Sequence, residues 1–481
     1  MPTTASFSPV AVTNHSAMNE GYHSHFDFSK SITLRLAIVS VTAAALAVTA
    51  CAQTSTFCSC GHNPPGPPAP RSPSPYAGAP EELRPLVKFT TPHHEFYQDV
   101  VEYNGAARDI PDPNLKDLSE IRIGFIGPLY DHPDQALGNR MLRGATLAID
   151  EANAAGGYCG KPFKLTLHND SAIWGAPSNE VVKMVYTEKV WAIFGSISGG
   201  TTHVALRMTL NAETPLVNSA STDPTISETH IPWYFTDLQD DRVQGNVLAR
   251  HIYTELGLHR VAILRVNDRY GRIGVLEFRD ASRRLGHPIV IEQEFTPGDT
   301  DFRHQLRAIQ DSRADAIVLW TDIDPTATIL QQIRQLGMKQ RVFGSNRTIG
   351  DELIKQAGPA AEDFEAVFPY DPSRTDQRWL EFNTRYEARY EEKPDQFAAL
   401  AYDAMQILLG AICRAGLNRG RIRDALTRTE TYKGVTGDMV FGPNCENVAS
   451  LFLARVHHGT IQYRRITMGK PGASLGENEI Q

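Results

Sequence analysis

From Ile121 onward, apolar runs of five to eight residues alternate with amphipathic stretches. "IRIGFIG" (121–127) reads as a buried strand. "GNRMLRGATLAIDEANAAGG" (138–157) reads as a helix, with Leu142, Ala145, Ile149 and Ala152 on one face and Gly156-Gly157 as its stop. "FKLTLHN" (163–169), "WAIFG" (191–195) and "TPLVNSA" (214–220) are strands, separated by helices over "NEVVKMVYTE" (179–188) and "HVALRMTL" (203–210). A second series supplies strands over "RVAILRVN" (260–267), "PIVIEQEF" (288–295), "ADAIVLWT" (314–321) and "RVFGSN" (341–346). The helices between them are "YGRIGVLEFRDASRRLG", "FRHQLRAIQDS" and "PTATILQQIRQLG". Such alternation predicts an α/β protein whose parallel sheets are covered on both faces. A strand-like bridge, "PWYFTDLQ" (232–239), separates the two series and favours two sheets of about five strands over one large sheet. After Phe364 a strand, "EAVFPYDP", leads into helices over 376–391, 395–415 and 419–428, and residues 437–466 read as strands with a His-Gly hairpin turn. The late helices need a sheet to cover, and the first series offers one.

Ahead of this region the pattern changes. Residues 61–80 are about half Pro and Gly, an extended tether. Residues 81–118 read either as an ordered lead-in or as a packed arm. Lys30 and Arg35 precede "LAIVSVTAAALAVTA" (36–50), an apolar run of signal-peptide length and short for a membrane span. The small residues before Cys51 resemble a bacterial lipobox, which would make Cys51 a lipidated mature N-terminus. A plain signal peptide cleaved nearby and a retained anchor are the alternatives. Residues 1–29 are long for a charged n-region, so Met18 is a candidate start.

Composition narrows the classes. The chain has 481 residues, a net charge of −8 and 41% hydrophobic residues. It has no long basic block, so nucleic acid is not an expected partner. Six cysteines are too few for a disulfide scaffold. Cys58 and Cys60 fall in the flexible front, and Cys159, Cys413 and Cys445 in the globular part; sequence does not choose a pair. The histidines, including His23, His25, His93, His94, His457 and His458, show no metal-ligand spacing, so no metal is expected.

The glycine-rich turn "FGSISGGTT" (194–202) lies between a strand and a helix, where α/β proteins bind ligands. Thr201 stands where a phosphate loop needs Lys, and Gly195, Gly199 and Gly200 have the wrong spacing for a dinucleotide fingerprint. "GSISG" places Ile197 where a serine nucleophile elbow needs Ser. What remains is hydroxyls and backbone N–H groups at a helix N-terminus, an arrangement suited to a carboxylate. The next turn, "NSASTDP", adds Ser219, Ala220, Ser221 and Thr222. Either turn alone is equally readable as a Ser/Thr helix cap. No cofactor motif and no nucleophile–base pair stands out, so neither a cofactor nor an enzyme is expected.

The ordered set "IRIGFIGPL", "GNRMLRGATLAIDEANAAGG", "GKPFKLTLHND", "VWAIFGSISGGTTHVAL", "TPLVNSASTDP", "VAILRVNDRYGRIG", "ADAIVLW", "GSNRTIGDELI", "FPYDP" and "YDAMQILLGAI" resembles the leucine/isoleucine/valine-binding family of periplasmic substrate-binding proteins over about residues 119–466. The resemblance implies two Rossmann-like lobes joined by three crossings, near 236–241, 366–371 and 430–437, with a ligand held in the cleft between them. On this reading lobe 1 is 119–236 plus 367–432 and lobe 2 is 237–366 plus 433–468, after a leader (1–50) and a tether and lead-in (51–118), with a tail at 469–481. The family uses the two turns to grip an amino acid's carboxylate and ammonium. That implies ligand roles for Ser196, Ser198, Gly199, Gly200, Thr201, Ser219, Ala220, Ser221 and Thr222, and for Tyr270 as an aromatic over the ligand. It also implies roles for Asp322 and the loop holding Asn346 and Arg347. Amino-acid binders commonly place an acid in that last loop; this chain has Asn346 and Arg347, and Arg suits a carboxylate, not an ammonium. Asp241 or Asp322 would then supply the anion. Arg347 is otherwise a salt-bridging residue and Asp241 a helix cap. The implied role is an extracytoplasmic solute-binding protein serving an ABC permease, lipid-anchored in the periplasm or at the cell surface. A ligand-sensing receptor domain of the same fold is the alternative.

Overall fold

A computed structural model describes residues 57–58, 101–171 and 175–466; the leader, Cys51, Cys60, most of the tether and the tail lie outside the described residues. The central parallel strands, such as those at 121–127, 261–266 and 316–320, are apolar along almost their whole length because they are buried on both faces, whereas the outer strands at 163–169 and 291–295 carry polar residues and are partly exposed. In order come β1 (Ile121–Gly127), α1 (Gln135–Ala154), β2 (Phe163–Asn169), α2 (Ala176–Val182), β3 (Ile193–Gly195), α3 (Gly199–Ala212), β4 (Leu216–Asn218) and β5 (Tyr234–Thr236). They build one parallel sheet in the order β2-β1-β3-β4-β5. The expected bridge at 232–239 is therefore the edge strand of this sheet, pairing Leu216 with Tyr234 and Asn218 with Thr236. The helix expected over 179–188 starts earlier and loosens after Val182 into a wider turn, Lys183–Thr187.

The second series follows: α4 (Asp241–Arg250), β6 (Val261–Val266), α5 (Arg269–Arg284), β7 (Ile291–Phe295), α6 (Arg303–Asp311), β8 (Ala316–Trp320), α7 (Ile323–Gln335), β9 (Arg341–Gly344), α8 (Asp351–Ala357) and β10 (Glu365–Phe368). The chain then runs through α9 (Gln377–Tyr390), α10 (Gln396–Ala415), α11 (Arg419–Thr427), β11 (Thr431–Lys433), β12 (Asp438–Val440), β13 (Phe452–His457) and β14 (Thr460–Arg465). The second sheet has the order β14-β13-β10-β9-β8-β6-β7. Its parallel core is extended by an antiparallel β13–β14 hairpin, which takes it to seven strands.

The late helices cover the first sheet, as their apolar faces require. Helix α10 is long and apolar enough to cross a membrane, but 83% of its most apolar stretch is buried inside the protein, where it packs on α1. The two helices meet so closely at Gly144 that a Cβ there would lie 2.0 Å from the Ala398 carbonyl oxygen. Phe125 stacks on Phe194, with ring centroids 6.0 Å apart, beneath the same helices.

Three passages join the sheets. The first runs from β5 into α4, and the second from β10 into α9. Residues 430–437, expected to form the third, instead turn back as the β11–β12 hairpin. The Asp403 carboxylate on α10 holds that turn, accepting from Val435 N (2.9 Å), Thr436 N (2.9 Å) and Thr436 Oγ1 (2.7 Å). The third passage comes later, at 441–451, alongside the first: Thr236 N donates to the Cys445 carbonyl at 3.1 Å. Buried Arg242 joins these two passages, binding Asp240 through Nε at 2.7 Å and Glu446 at 3.2 Å. Burial pushes the Glu446 carboxyl up to about 7 against that arginine.

The front of the chain is tied down where it is described. Cys58, expected in a flexible stretch, is buried and disulfide-bonded to Cys413 on α10. Phe57 N donates to the Ala155 carbonyl at 3.0 Å beside it. The lead-in is a packed arm from 101 to 118. Tyr103 meets Trp233 edge-on at 4.7 Å, and Arg108 grips Asp424 with two bonds of 2.6 and 2.8 Å.

Candidate functional site

The two turns predicted to bind a ligand sit side by side at the C-terminal ends of β3 and β4, and Asn218 fastens them together. Its amide nitrogen donates to the Ser196 carbonyl at 2.7 Å. Its oxygen accepts from Ala220 N (2.9 Å) and Ser221 N (2.8 Å). Those two amides are thus committed to the turn itself. The Ser196 hydroxyl donates to Asp170 at 3.0 Å, and the Ser198 hydroxyl caps α3 by accepting from Thr201 N at 3.3 Å. The side chains of Ser196 and Ser198 therefore build the turn. A Cβ on Gly199 would fall 2.3 Å from an Asp223 carboxylate oxygen, whereas one on Gly200 would meet only ordinary contacts. Gly199 is the glycine whose small size the fold uses. Two hydroxyls remain: the oxygens of Ser219 and Thr222 are buried without a hydrogen-bond partner.

Asp241 opens α4 at the first passage between sheets. Asp240, not Asp241, caps that helix, accepting from Arg242 N and Val243 N. Asp241 anchors its backbone N–H on the Thr222 carbonyl at 2.8 Å, and neither of its carboxylate oxygens has a partner. Burial pushes its carboxyl well above the usual range; the Thr222 hydroxyl, near it but not in hydrogen-bond geometry, only partly offsets this, and Asp223, Asp240 and Glu277 add to it.

Across the cleft, the second sheet presents a self-paired group. The Arg347 guanidinium donates to Asp322 at 2.7 Å and lies 4.4 Å over the Tyr270 ring. The Tyr270 hydroxyl donates to Ser345 Oγ at 2.7 Å. Burial pushes Asp322 up to about 6 in spite of Arg347, and Asp134 and Asp268 push the same way. Asn346 is held by its own amide, which donates to Gln396 at 2.9 Å, but its side-chain oxygen is unpartnered.

Contacts bridge the two walls. Arg269, at the start of α5, donates to Asp223 at 2.6 Å and to Thr225 at 2.8 Å. Arg347 reaches Asp134, the residue before α1, at 3.7 Å. Gln396, at the start of α10, donates to the Asn346 carbonyl at 2.9 Å. The sequence reading missed Asp134, Asp170, Asn218, Asp223, Arg269 and Gln396. Asn218 had a local signal: an Asn at a strand end followed by small residues is an Asx-turn former. The others are partnered across long sequence separations and leave no local trace.

Two α/β sheets joined by three passages, with the candidate turns at strand C-termini, form the architecture seen in periplasmic binding proteins. The periplasmic binding protein family model matches residues 120–460. The chain belongs to the periplasmic binding protein family. An amino acid binding protein of Pseudomonas aeruginosa is 27% identical over 50% of this chain and 64% of its own length. A Leu/Ile/Val-binding protein homolog of Brucella abortus is 24% identical over 67% of this chain and 86% of its own. Among solved structures, the branched-chain amino acid transporter substrate-binding protein LivJ of Streptococcus pneumoniae, in complex with isoleucine, is 26% identical with a TM-score of 0.66. That alignment covers 72% of this chain and 99% of LivJ. This periplasmic binding protein thus shares its α/β architecture with substrate-binding proteins of ABC transporters.

Proposed function

We propose that this chain is the extracytoplasmic solute-binding component of an ABC importer, without catalytic activity, and that it holds an amino acid or a related small carboxylate or amide between its lobes. The names of its relatives support the class. The observation that carries the reading of the site is Asp241: a buried carboxyl with neither oxygen in a formed hydrogen bond, beside Thr222, whose hydroxyl and that of Ser219 in the same turn are also buried without one. Hydroxyls donate to a carboxylate, and Asp241 accepts from an ammonium or amide N–H; together they match the head of an amino acid. On this reading Arg347 positions Tyr270 and Asp322 and does not bind a ligand carboxylate. The proposed first lobe spans 119–236 plus 369–440, and the second 237–368 plus 452–466. The small residues before Cys51 support a lipid anchor there, and Cys51→Ala is expected to release the protein from membranes.

A thermal-shift screen of amino acids, dicarboxylates, amides and aromatic acids tests the ligand class, since a ligand at a hundredfold excess over Kd stabilises by about 2.7 kcal/mol. Asp241→Asn is expected to abolish the shift given by ammonium-bearing ligands, a loss of about 2–5 kcal/mol of binding. Unchanged amino-acid affinity in Asp241→Asn would overturn the assignment.

A further inference from the structure

We propose that Glu362, His457 and His458 form a binding site for a divalent first-row transition ion, such as zinc or cobalt, at the end of the second sheet opposite the ligand cleft. One ligand atom from each of these residues can be chosen so that all three lie within 4.8 Å of one another. Four-coordinate zinc with bonds of about 2.1 Å needs its ligand atoms about 3.4 Å apart. His457 Nδ1 and Glu362 Oε1 are already 3.5 Å apart. That Nδ1 is itself buried and makes no hydrogen bond, so it is a nitrogen lone pair or N–H held against a carboxylate without being satisfied by it. The two imidazole rings lie with centroids 4.0 Å apart, and His458 is exposed, so a small rotation of its ring closes the set. Two imidazoles and one carboxylate suit zinc, cobalt or nickel, and suit calcium and magnesium poorly.

The backbone fixes these groups in place. His457 pairs with Thr460 across a two-residue turn whose central residues, His458 and Gly459, both have positive φ, 50° and 70°. This is the tight hairpin geometry that matches strand twist. Glu362 accepts from His458 N at 3.0 Å and from Gly459 N at 3.4 Å, so the turn itself aims the carboxylate. The neighbouring Asp363 is committed to Arg455 at 2.6 Å and does not compete. Glu362 precedes β10, whereas the cleft loop 345–347 follows the parallel β9, so the two sites lie at opposite ends of the sheet.

Cobalt titration of the full chain, read by its visible absorption and by calorimetry, tests the site. Histidines elsewhere, such as His23, His25, His93 and His94, contribute equally to wild type and variants and cancel in the difference. Wild type is expected to bind one cobalt ion more than the His457→Ala/His458→Ala double variant. Glu362→Gln keeps an oxygen for the turn amides and is expected to weaken that ion roughly tenfold or more. Melting without metal checks the fold of each variant. If the double variant is destabilised, His458→Ala alone, at an exposed ring, gives the comparison. Equal stoichiometry and affinity in wild type, His458→Ala and Glu362→Gln would overturn the proposal.

Discussion

On the wall formed by the first sheet and the first passage, Ser219, Thr222 and Asp241 hold buried polar atoms that nothing in the protein satisfies. On the facing wall, Tyr270 pairs with Ser345 and Arg347 with Asp322; among the described residues there, Trp320 Nε1, Thr321 Oγ1 and the Asn346 side-chain oxygen are left without a partner. The two walls differ in where their charge is compensated: the Asp322 carboxylate is met by Arg347, whereas the Asp241 carboxylate has no formed hydrogen bond or ion pair. A buried group without a partner costs free energy in the empty protein and repays it on binding, whereas a paired group costs little and offers little. The proposed function places ligand charge recognition on the first wall because of this difference. Arg347, the most conspicuous charge of the second, becomes a support for Tyr270.

The largest effect expected from this contrast is at Asp241. Its folded pKa is raised by burial, so its contribution favours the folded state below its unfolded pKa and is lost as pH rises towards the folded value. At neutral pH, Asp241→Asn should therefore stabilise the ligand-free protein, by about 1–3 kcal/mol, while ligand binding falls. Denaturant melts with and without ligand measure both. A destabilised, fully binding variant would remove the contrast between the walls.

Next is the pair on the second wall. Arg347→Ala leaves Asp322 uncompensated, and because Asp322 is partly exposed the loss should be about 1–2 kcal/mol, less than for a fully buried pair. A double-mutant cycle with Asp322→Ala should show favourable coupling. Zero coupling would mean that the pair is not what quiets this wall.

Smaller again is the strap across the cleft. Arg269 is partly exposed, so Arg269→Ala should cost about 0.5–1 kcal/mol of closure, seen as a larger radius of gyration without ligand and mimicked by salt. Gly199→Ala, which pushes Asp223 away from Arg269, should act in the same direction. An unchanged scattering profile in both variants would separate the strap from closure.

The smallest expected effect is a pH dependence. Asp322, pushed up to about 6, favours the folded state below about pH 4, and that contribution fades as pH rises to 6. The melting temperature of Asp322→Asn relative to wild type should rise over that interval and level off above it. A flat difference would place Asp322 in a more aqueous setting than the cleft.

Much of this architecture was written locally. The strands at 121–127, 261–266 and 316–320 are nearly continuous apolar runs, and the helices at 377–390, 396–415 and 419–427 fall within a residue of their expected ends, because a strand buried on both faces or a helix with one buried face must carry that period in its own sequence. The two candidate turns after β3 and β4 were legible as turns for the same reason: Ser, Thr, Asn and Gly at a strand end mark a cap or a ligand loop wherever they occur. What the sequence by itself determined, then, was the α/β class, the order of elements and the place of the first wall. The tertiary structure alone decided which polar groups are spoken for. Cys58 meets Cys413 across 355 residues, Arg108 meets Asp424, and Arg347 is answered by Asp322 and Asp134. Such pairings depend on how layers stack and leave no periodicity in the chain. The same holds for Asp241, whose proposed role rests on its carboxylate being buried without a hydrogen bond, a property of the packed protein and of no stretch of sequence.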